Sequence, residues 1–417
     1  MYSPQIINQH LDKFGDLTRH SPEEVADRIE HFNSLVDSNG TIKRPLTTEE
    51  SHFINSELKL CRFDFKYWAE RYGMIHLDKV ARVGVPTLWK SQLLILRHLA
   101  VAEEEQYQRL KDNYPTPGLR VANHKARQLG ATALSRLLTI HRLTLWPDQR
   151  SLAASASDQQ THRLYKRDRT LLDNLPWYIR PPLPWVTSGS GAHEKDRHIE
   201  LARNNTSISY QSAAQVAGLG QGEQFEIAHL TECSSWPYPD IIQWDFFPTL
   251  PFSVHTLCIL ESTAMGRGGW WYEFTESVRK GSQANWLYVF VPWYSDQTKY
   301  RDHAPDDWNP SSHTVEHASM VERTSPRYMF GHTVHLGRDQ LYWYERERAS
   351  AQSAHRLPSF LSNFCATSSE SFQHINQSAI PFDAMEKLRL GLRDPVAIYQ
   401  YVSGAPRKPN AAMLRVQ

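Results

Sequence analysis

The chain has 417 residues, enough for two or three domains of roughly 100–200 residues and for a sizeable core. Hydrophobic residues make up 40% and charged residues 22%, which excludes a disordered chain, while 46 Lys plus Arg against 45 Asp plus Glu give a formal net charge of +1. Bulk charge therefore does not mark a nucleic-acid binder, and any DNA contact must come from a local patch.

The N-terminus, MYSPQIINQHLDKFGD, lacks a basic stretch followed by an apolar one, so no signal peptide is expected, and no run approaches the roughly 18 apolar residues of a membrane span. The first 45 residues read as a helical lead, with a helix starting at Ser21-Pro22-Glu23-Glu24 and broken by Ser38-Asn39-Gly40. A second helix is predicted from Thr47-Thr48-Glu49-Glu50 through to Gly73, with Phe63, Phe65, Tyr67 and Trp68 on its buried face, and a third from about Leu88 to Lys111. Strands and helices then alternate. GLRVANH, SLAAS, QFEIAHL, VHTLCIL and NWLYVFV read as strands; ATALSRLLTIHRLTL, DQQTHRLYKRDRTLLDNL, YPDIIQWDFF and GWWYEFTESVRKG read as helices; HIELARNNTSISY reads as a hairpin about Asn204-Asn205. This alternation argues for a mostly parallel sheet covered on both faces. Residues 293–337, rich in Pro, Asp, Ser and His, read as a long irregular connection before the helix GRDQLYWYERERA. Cys61, Cys233, Cys258 and Cys365 are scattered without a C-x-x-C pair, which fits buried thiols in a reducing compartment.

The most informative segment is VANHKARQLGATALSRLL, between a strand and a helix. A phosphate-binding loop reads G-x-x-x-x-G-K-[ST], with backbone N–H groups cradling phosphates at the helix N-terminus. Here Lys125 stands at the first Gly position, followed by Ala126, Arg127, Gln128 and Leu129, and then Gly130, Ala131 and Thr132. Gly130 and Thr132 fit the pattern, the lysine is displaced to the front of the loop, and Ala131 fills its usual place. Lys125 would reach across to the β/γ-phosphates, and Thr132 would place its hydroxyl on Mg²⁺. By spacing alone this is a weak match to the phosphate-loop pattern, and a plain strand-to-helix turn with one Gly would be the better reading. Such an enzyme also needs an acid at the end of a neighbouring strand. QFEIAHL-Thr231-Glu232 supplies one: Glu232 would polarise the attacking water, and Thr231 stands where an Asp commonly helps hold the metal. The next strand ends in Glu261-Ser262-Thr263-Ala264, small hydroxyl residues at the strand edge where ligands bind in open α/β sheets.

Taken in order, these motifs resemble the ATPase half of the large terminase subunit, the DNA-packaging motor of tailed bacteriophages. KARQLGAT resembles that family's deviant Walker A, HLTE its Walker B, ESTAMGRGGWWYEF its coupling motif, and FVPWYSDQTKY, LYWYERERA and SNFCATSSESFQ the segments that follow; CRFDFKYWAERYG and TLWKSQLLIL resemble the segments that lead in. The resemblance runs from about residue 47 to 390 and implies a RecA/ASCE-like P-loop ATPase fold, α/β, with a mostly parallel central sheet flanked by helices. It implies a helical lead over 1–60, the ATPase domain over 61–375, and a linker over 376–417 towards an absent nuclease domain. By position it assigns Gln92 to the adenine edge, Arg127 to a cis arginine on the developing phosphate charge, Glu232 to catalysis, and Ser262, Thr263 and Ala264 to coupling. ATP and Mg²⁺ are the implied ligands. Double-stranded DNA, a portal protein and a small terminase subunit are the implied partners, with a homo-oligomeric (pentameric) ring on the portal, no membrane, and the host cytoplasm as location.

Two departures matter. The loop VAGLGQGEQ, where similar sequences often carry an arginine near Gly220, has Leu219 there. The family's RNase H-like nuclease has no counterpart either: Asp394 precedes Pro395-Val396 but nothing after it can form a nuclease sheet, so no nuclease activity is expected from this chain. Two other readings stay open, namely a nucleotide-binding assembly component that hydrolyses little, suggested by Ala131, and another P-loop DNA motor of helicase type. His313-Thr314-Val315-Glu316-His317 matches the H-x-x-E-H zinc-peptidase spacing, but among 20 histidines and in an irregular stretch it reads as coincidence. The basic run from His162 to Arg169 reads as a solvated helix face.

Overall fold

The structure, a computed structural model, describes residues 2–15, 17–37, 41–77, 82–180, 186–188, 198–201, 204–213, 218–220, 222–296, 298–325, 332–372, 399–401 and 414–416. Residues 1–373 form one compact unit and 374–417 a second. In the second, strands Tyr399–Tyr401 and Leu414–Val416 pair antiparallel.

The N-terminal helices are α1 (Pro4–Leu11), α2 (Pro22–Ser34), α3 (Thr48–Phe63) and α4 (Phe65–Tyr72). Capping boxes start two of them: Ser21 and Glu24 exchange side-chain and backbone bonds at α2, and Thr47 and Glu50 do so at α3. The single helix expected over 47–73 is two. At Asp64 the backbone turns to φ −113°, ψ 93°, and its carboxylate accepts from Tyr67 N at 3.0 Å, capping the second helix. The break expected at Ser38-Asn39-Gly40 lies outside the described residues. These helices join the same core as the sheet-covering helices, with Phe32, Leu60, Trp68 and Tyr72 fully or almost fully buried. Inside that core, the buried Glu57 accepts from Tyr67 OH at 2.8 Å and Tyr72 OH at 2.5 Å, which satisfies a carboxyl that burial pushes up.

A short antiparallel pair, β1 (Ile75–Leu77) and β2 (Arg82–Gly84), precedes α5 (Lys90–Lys111). The main sheet follows from β3 (Leu119–Lys125), α6 (Ala131–Leu145), β4 (Arg150–Ser155), α7 (Asp158–Asn174), β5 (Val186–Ser188), β6 (His198–Leu201), β7 (Thr206–Ser212), β8 (Ile227–Thr231), β9 (Leu257–Ser262), α8 (Trp270–Arg279) and β10 (Leu287–Val291). Its order is β10-β3-β9-β8-β4-β7-β6-β5. The strands from β10 to β7 run parallel, and β6 and β5 add an antiparallel edge, β6–β7 being the hairpin expected about Asn204-Asn205. Alternate residues serve two cores: Leu257 and Ile259 point into one, Cys258 and Leu260 into the other. Such two-sided burial explains why these strands read as continuous apolar runs. One strand, β9, is inserted between the loop-bearing β3 and the Glu232-bearing β8, which is the strand order of the RecA/ASCE-like α/β class.

The stretch 293–337 is not wholly irregular. Ser311 caps a helix, α9 (Ser312–Thr324), whose buried residues Thr314, His317 and Val321 fall on one face. Later helices are Arg338–Ser353, Leu357–Asn363 and Ser368–Ser371. All four cysteines are free and buried. No described helix is long and apolar enough to cross a membrane.

Candidate functional site

β3 ends at the buried Lys125, and the chain turns through 126–130 before α6 begins. Gly130 has φ +73°, and a Cβ there would come within 2.8 Å of Gln92 Nε2 and 3.1 Å of Trp89 Cε3, so the position needs glycine. Gln128 also has positive φ, +54°, a conformation costing about 1–3 kcal/mol that a loop keeps only when its surroundings enforce it. They do so through the carbonyls. Tyr300 OH donates to Arg127 O (2.5 Å), Lys299 Nζ to Gln128 O (2.5 Å), Ser91 Oγ to Leu129 O (2.9 Å) and Gln92 Nε2 to Gly130 O (3.0 Å). With the carbonyls so held, the amides of residues 128–133 meet no protein acceptor among the described residues. They form an anion cradle at the positive end of α6. The amides of Ala126 and Arg127 are engaged instead, on Val291 O and Asn363 O, each at 2.8 Å.

Beside the cradle lies a cleft of about 1010 Å³, lined by Trp89, Lys90 and Gln92, by Lys125 and residues 128–133 of the loop, by Arg136, Arg167 and Thr170, and by Asp296, Thr298 and Lys299. That volume suits a nucleotide-sized ligand. Gln92, expected at an adenine edge, is buried; its Oε1 accepts from Trp89 N at 2.8 Å while its Nε2 holds Gly130 O, so it braces the loop with both ends of its amide. An adenine would have to displace one of these bonds.

The loop meets two carboxylates. Glu232, in the left-handed region (φ +57°) just past β8, places Oε1 3.5 Å from Lys125 Nζ and is about one-third exposed. The second carboxylate, Glu261 at the end of β9, carries no role in the sequence reading. It is fully buried, and its Oε1 accepts from Thr132 Oγ1 at 2.5 Å, Thr231 Oγ1 at 2.8 Å and His229 Nε2 at 3.1 Å. Burial alone would raise this carboxyl, but the Lys125 ammonium and the His229 and Thr132 donors outweigh it and hold it down at about 2. Burial lowers His229, so a neutral imidazole donates its Nε2 proton to the ionised Glu261 carboxylate. On the far side, His229 Nδ1 faces Arg136 Nη1 at 3.4 Å; Arg136 grips Asp168 through Nε (2.9 Å) and Nη2, and Tyr210 OH donates to Asp168 at 2.5 Å. A buried polar chain thus runs from the loop to β7. Its sequence signal was Asp168 at a core position of α7, between Leu164 and Leu171.

Ser262 Oγ accepts from Ser234 N at 3.0 Å and donates to Ser234 Oγ at 2.8 Å, which ties the residues assigned to coupling to the turn that carries Glu232. Thr263 is buried beside it, and Ala264 O accepts from Ser362 Oγ at 2.7 Å. The segment 362–366 therefore touches the coupling residues at Ser362 and the phosphate loop at Asn363. Glu370 anchors its far end, with Oε2 accepting from Ala366 N at 2.6 Å. Burial pushes this carboxyl up to about 7. Because the folded value lies above the unfolded one, its contribution is full below about pH 4.5 and is lost as pH rises through 7. Relative to Glu370→Gln, the wild type should lose about 2 kcal/mol between pH 5 and pH 8, less than the full shift because the side chain is partly exposed. Urea midpoints of both proteins at the two pH values check this.

Of the residues singled out in the sequence, Lys125, Thr132, Thr231 and Glu232 converge. Arg127 projects an exposed side chain outside the cleft, whereas Arg167, from the basic run read as solvated, lines it. Leu219 is buried in the second core. His317 stacks on Tyr344 with ring centroids 3.7 Å apart, and among the described residues no group of three or more His, Cys, Asp or Glu could hold a metal. Asp394 lies outside the described residues. The donor set nevertheless fits Mg²⁺, which takes one or two protein oxygens and completes its shell with phosphate and water: the Thr132 and Thr231 hydroxyls lie beside the anion cradle, with Glu261 behind them.

No protein-family profile and no curated protein sequence matches the chain. Among solved structures, the chain is similar to the large terminase of bacteriophage HK97, at 15% identity and a TM-score of 0.43 over 72% of this chain and 53% of that one. It is similar to the large terminase ATPase domain of Thermus phage P74-26, at 12% identity and a TM-score of 0.37 over 59% of this chain and 87% of that one. A third similarity is to the large terminase of a thermophilic bacteriophage in complex with ADP, at 13% identity and a TM-score of 0.35, covering 49% of this chain and 46% of that one. The similarity spans roughly half the length of the HK97 chain and of the ADP-bound chain.

Proposed function

We propose that the chain is the ATP-hydrolysing motor of a viral DNA-packaging machine of the large terminase type, moving double-stranded DNA into a prohead. The observation that supports this most is the meeting of Lys125, Thr132, Glu232 and an open amide cradle at one edge of adjacent parallel strands, with Ser262 bonded to the turn behind Glu232. ATP is the substrate. The amides of 128–133 and Lys125 bind its phosphates, and the Thr132 and Thr231 hydroxyls face the cation. Mg²⁺, when bound, neutralises phosphate charge. Glu232 orients the attacking water. Arg127, whose exposed side chain would have to swing into the cleft, is assigned the stabilisation of the developing phosphate charge, and Arg167, which lines the cleft, is a second candidate for that role. Departure of the γ-phosphate is then felt at Ser234 and Ser262 and passes through Ala264 to Ser362. A homo-oligomeric (pentameric) ring on a portal protein, a small terminase subunit and the host cytoplasm complete the proposal.

Steady-state ATP hydrolysis with and without double-stranded DNA tests it. Turnover that rises with DNA is expected, and absence of turnover overturns it. Bound ATP without turnover would favour the assembly-component reading, for which Ala131 at the usual lysine position speaks. Separation of a forked duplex would favour a helicase-type motor. Lys125→Ala should weaken nucleotide affinity by about tenfold or more, the loss of one charge-assisted contact. Unchanged affinity in a fluorescent-nucleotide titration would remove the displaced lysine from the site.

A further inference from the structure

We propose that Glu261, on β9, positions the magnesium-binding hydroxyls, a duty that P-loop enzymes commonly give to an acid at the place occupied here by Thr231. The proposal rests on the nucleotide-site reading above. Position 231 carries no charge, yet its cross-strand partner in the register of β8 and β9 is Glu261. A carboxylate moved one strand over still lies 2.8 Å from the Thr231 hydroxyl. It is also 2.5 Å from the hydroxyl of Thr132, the residue the loop pattern places on the cation.

The chemistry follows from counting protons. Each hydroxyl has one proton and two lone pairs. Thr132 and Thr231 both give their proton to Glu261 Oε1, so their remaining lone pairs are directed elsewhere and serve as ligands. A threonine without such an acceptor would turn its proton towards the cation in some rotamers and lose affinity. Carboxylates that orient metal ligands in this way commonly affect metal affinity by about 10–100-fold. Glu261 also carries an unsatisfied atom: Oε2 is buried and has no hydrogen-bond partner among the described residues. Buried carboxylate oxygens are rarely left so, and a cation-bound water is the kind of donor that completes the shell. His229, donating to Oε1 from the other side, fixes the carboxylate in place.

The test uses the full chain, with ADP affinity measured in Mg²⁺ and in EDTA, and Mn²⁺ binding in the presence of ADP followed by electron paramagnetic resonance. In the wild type the cation tightens ADP. Glu261→Gln is expected to lose about 10–100-fold in Mn²⁺ affinity, and the tightening of ADP by Mg²⁺ over EDTA should shrink with it. The double variant Glu261→Gln/Thr231→Asp, which returns the charge to β8, should recover it. A purely structural role for Glu261 would leave the cation dependence unmoved and would give no rescue. If Glu261→Gln keeps the wild-type Mn²⁺ affinity, or if the cation does not tighten ADP in the wild type, the assignment is overturned. Should Glu261→Gln fail to fold, Glu261→Asp keeps the charge and shortens the reach by one methylene; undiminished Mn²⁺ affinity there overturns it equally. A wild-type chain that binds no ADP in either condition overturns the nucleotide-site reading itself.

Discussion

Glu232→Gln is expected to leave nucleotide affinity near that of the wild type and to lower turnover by about 10²–10⁴-fold, the range for loss of a positioned proton acceptor. The amide has the shape of the carboxylate but cannot take a proton from water. The position argues for chemistry over packing. Glu232 is about one-third exposed, so its side chain adds little to the core, and it occupies a left-handed conformation that a β-strand end does not require. Ser235 holds that conformation, its N and Oγ donating to Glu232 O at 2.9 and 2.8 Å, while Ser262 holds Ser234 from behind. The turn is fixed from the side away from the loop, and the carboxylate is left facing Lys125. Phosphate release and fluorescent-nucleotide binding, measured on the same preparation, separate the two effects. Turnover unchanged in Glu232→Gln would remove Glu232 from catalysis, and a parallel loss of affinity would make it a binding residue. Lys125→Ala should show the opposite split, with binding lost first.

The alternation of elements was legible because most buried parallel strands are short apolar runs bounded by turns, and several helices open on a cap such as Ser21 or Thr47. The loop was legible because Gly130 and Thr132 sit at fixed offsets on either side of a helix start. Glu261 was not. It lies 129 residues from Thr132, and only the insertion of β9 between β3 and β8 brings them together. That order is set by crossovers and leaves no local trace in the sequence. The hydroxyls that follow Glu261 carry the more familiar pattern, although an acid closing the buried run VHTLCIL is itself a signal. The loop's carbonyl clamps were hidden in the same way, since Lys299 and Tyr300 are 171 and 173 residues from the groups they hold. Composition misled twice. A Pro- and Ser-rich stretch hid α9, whose 3–4-residue spacing of Thr314, His317 and Val321 was present, and a basic run hid the buried Asp168 within it.

Asp168→Ala should destabilise the chain by about 3–5 kcal/mol, the cost of leaving a buried charge without its partner. Arg136 is 2% exposed and Asp168 fully buried. The guanidinium grips the carboxylate through two nitrogens, and Tyr210 OH donates to the same carboxylate. Removing Asp168 strands a cation and a phenol together, and among the described residues it leaves the guanidinium His229 Nδ1 as a hydrogen-bond partner. Replacing both members with apolar residues of similar size, Arg136→Met with Asp168→Leu, removes the stranded charge and should recover most of the loss, because a buried ion pair contributes little net stability over a packed apolar pair. Urea unfolding of Arg136→Met, Asp168→Leu and the double variant, combined as a cycle, gives the coupling energy. The double variant also separates stability from function. It is expected to fold, but His229 Nδ1 loses its donor, which loosens the ring that donates to Glu261 from Nε2. If the buried chain from Tyr210 to Glu261 serves the nucleotide site, a stable Arg136→Met/Asp168→Leu protein still binds Mg²⁺ more weakly than the wild type. If the chain serves only to hold α6 and α7 against the sheet, stability and cation affinity recover together.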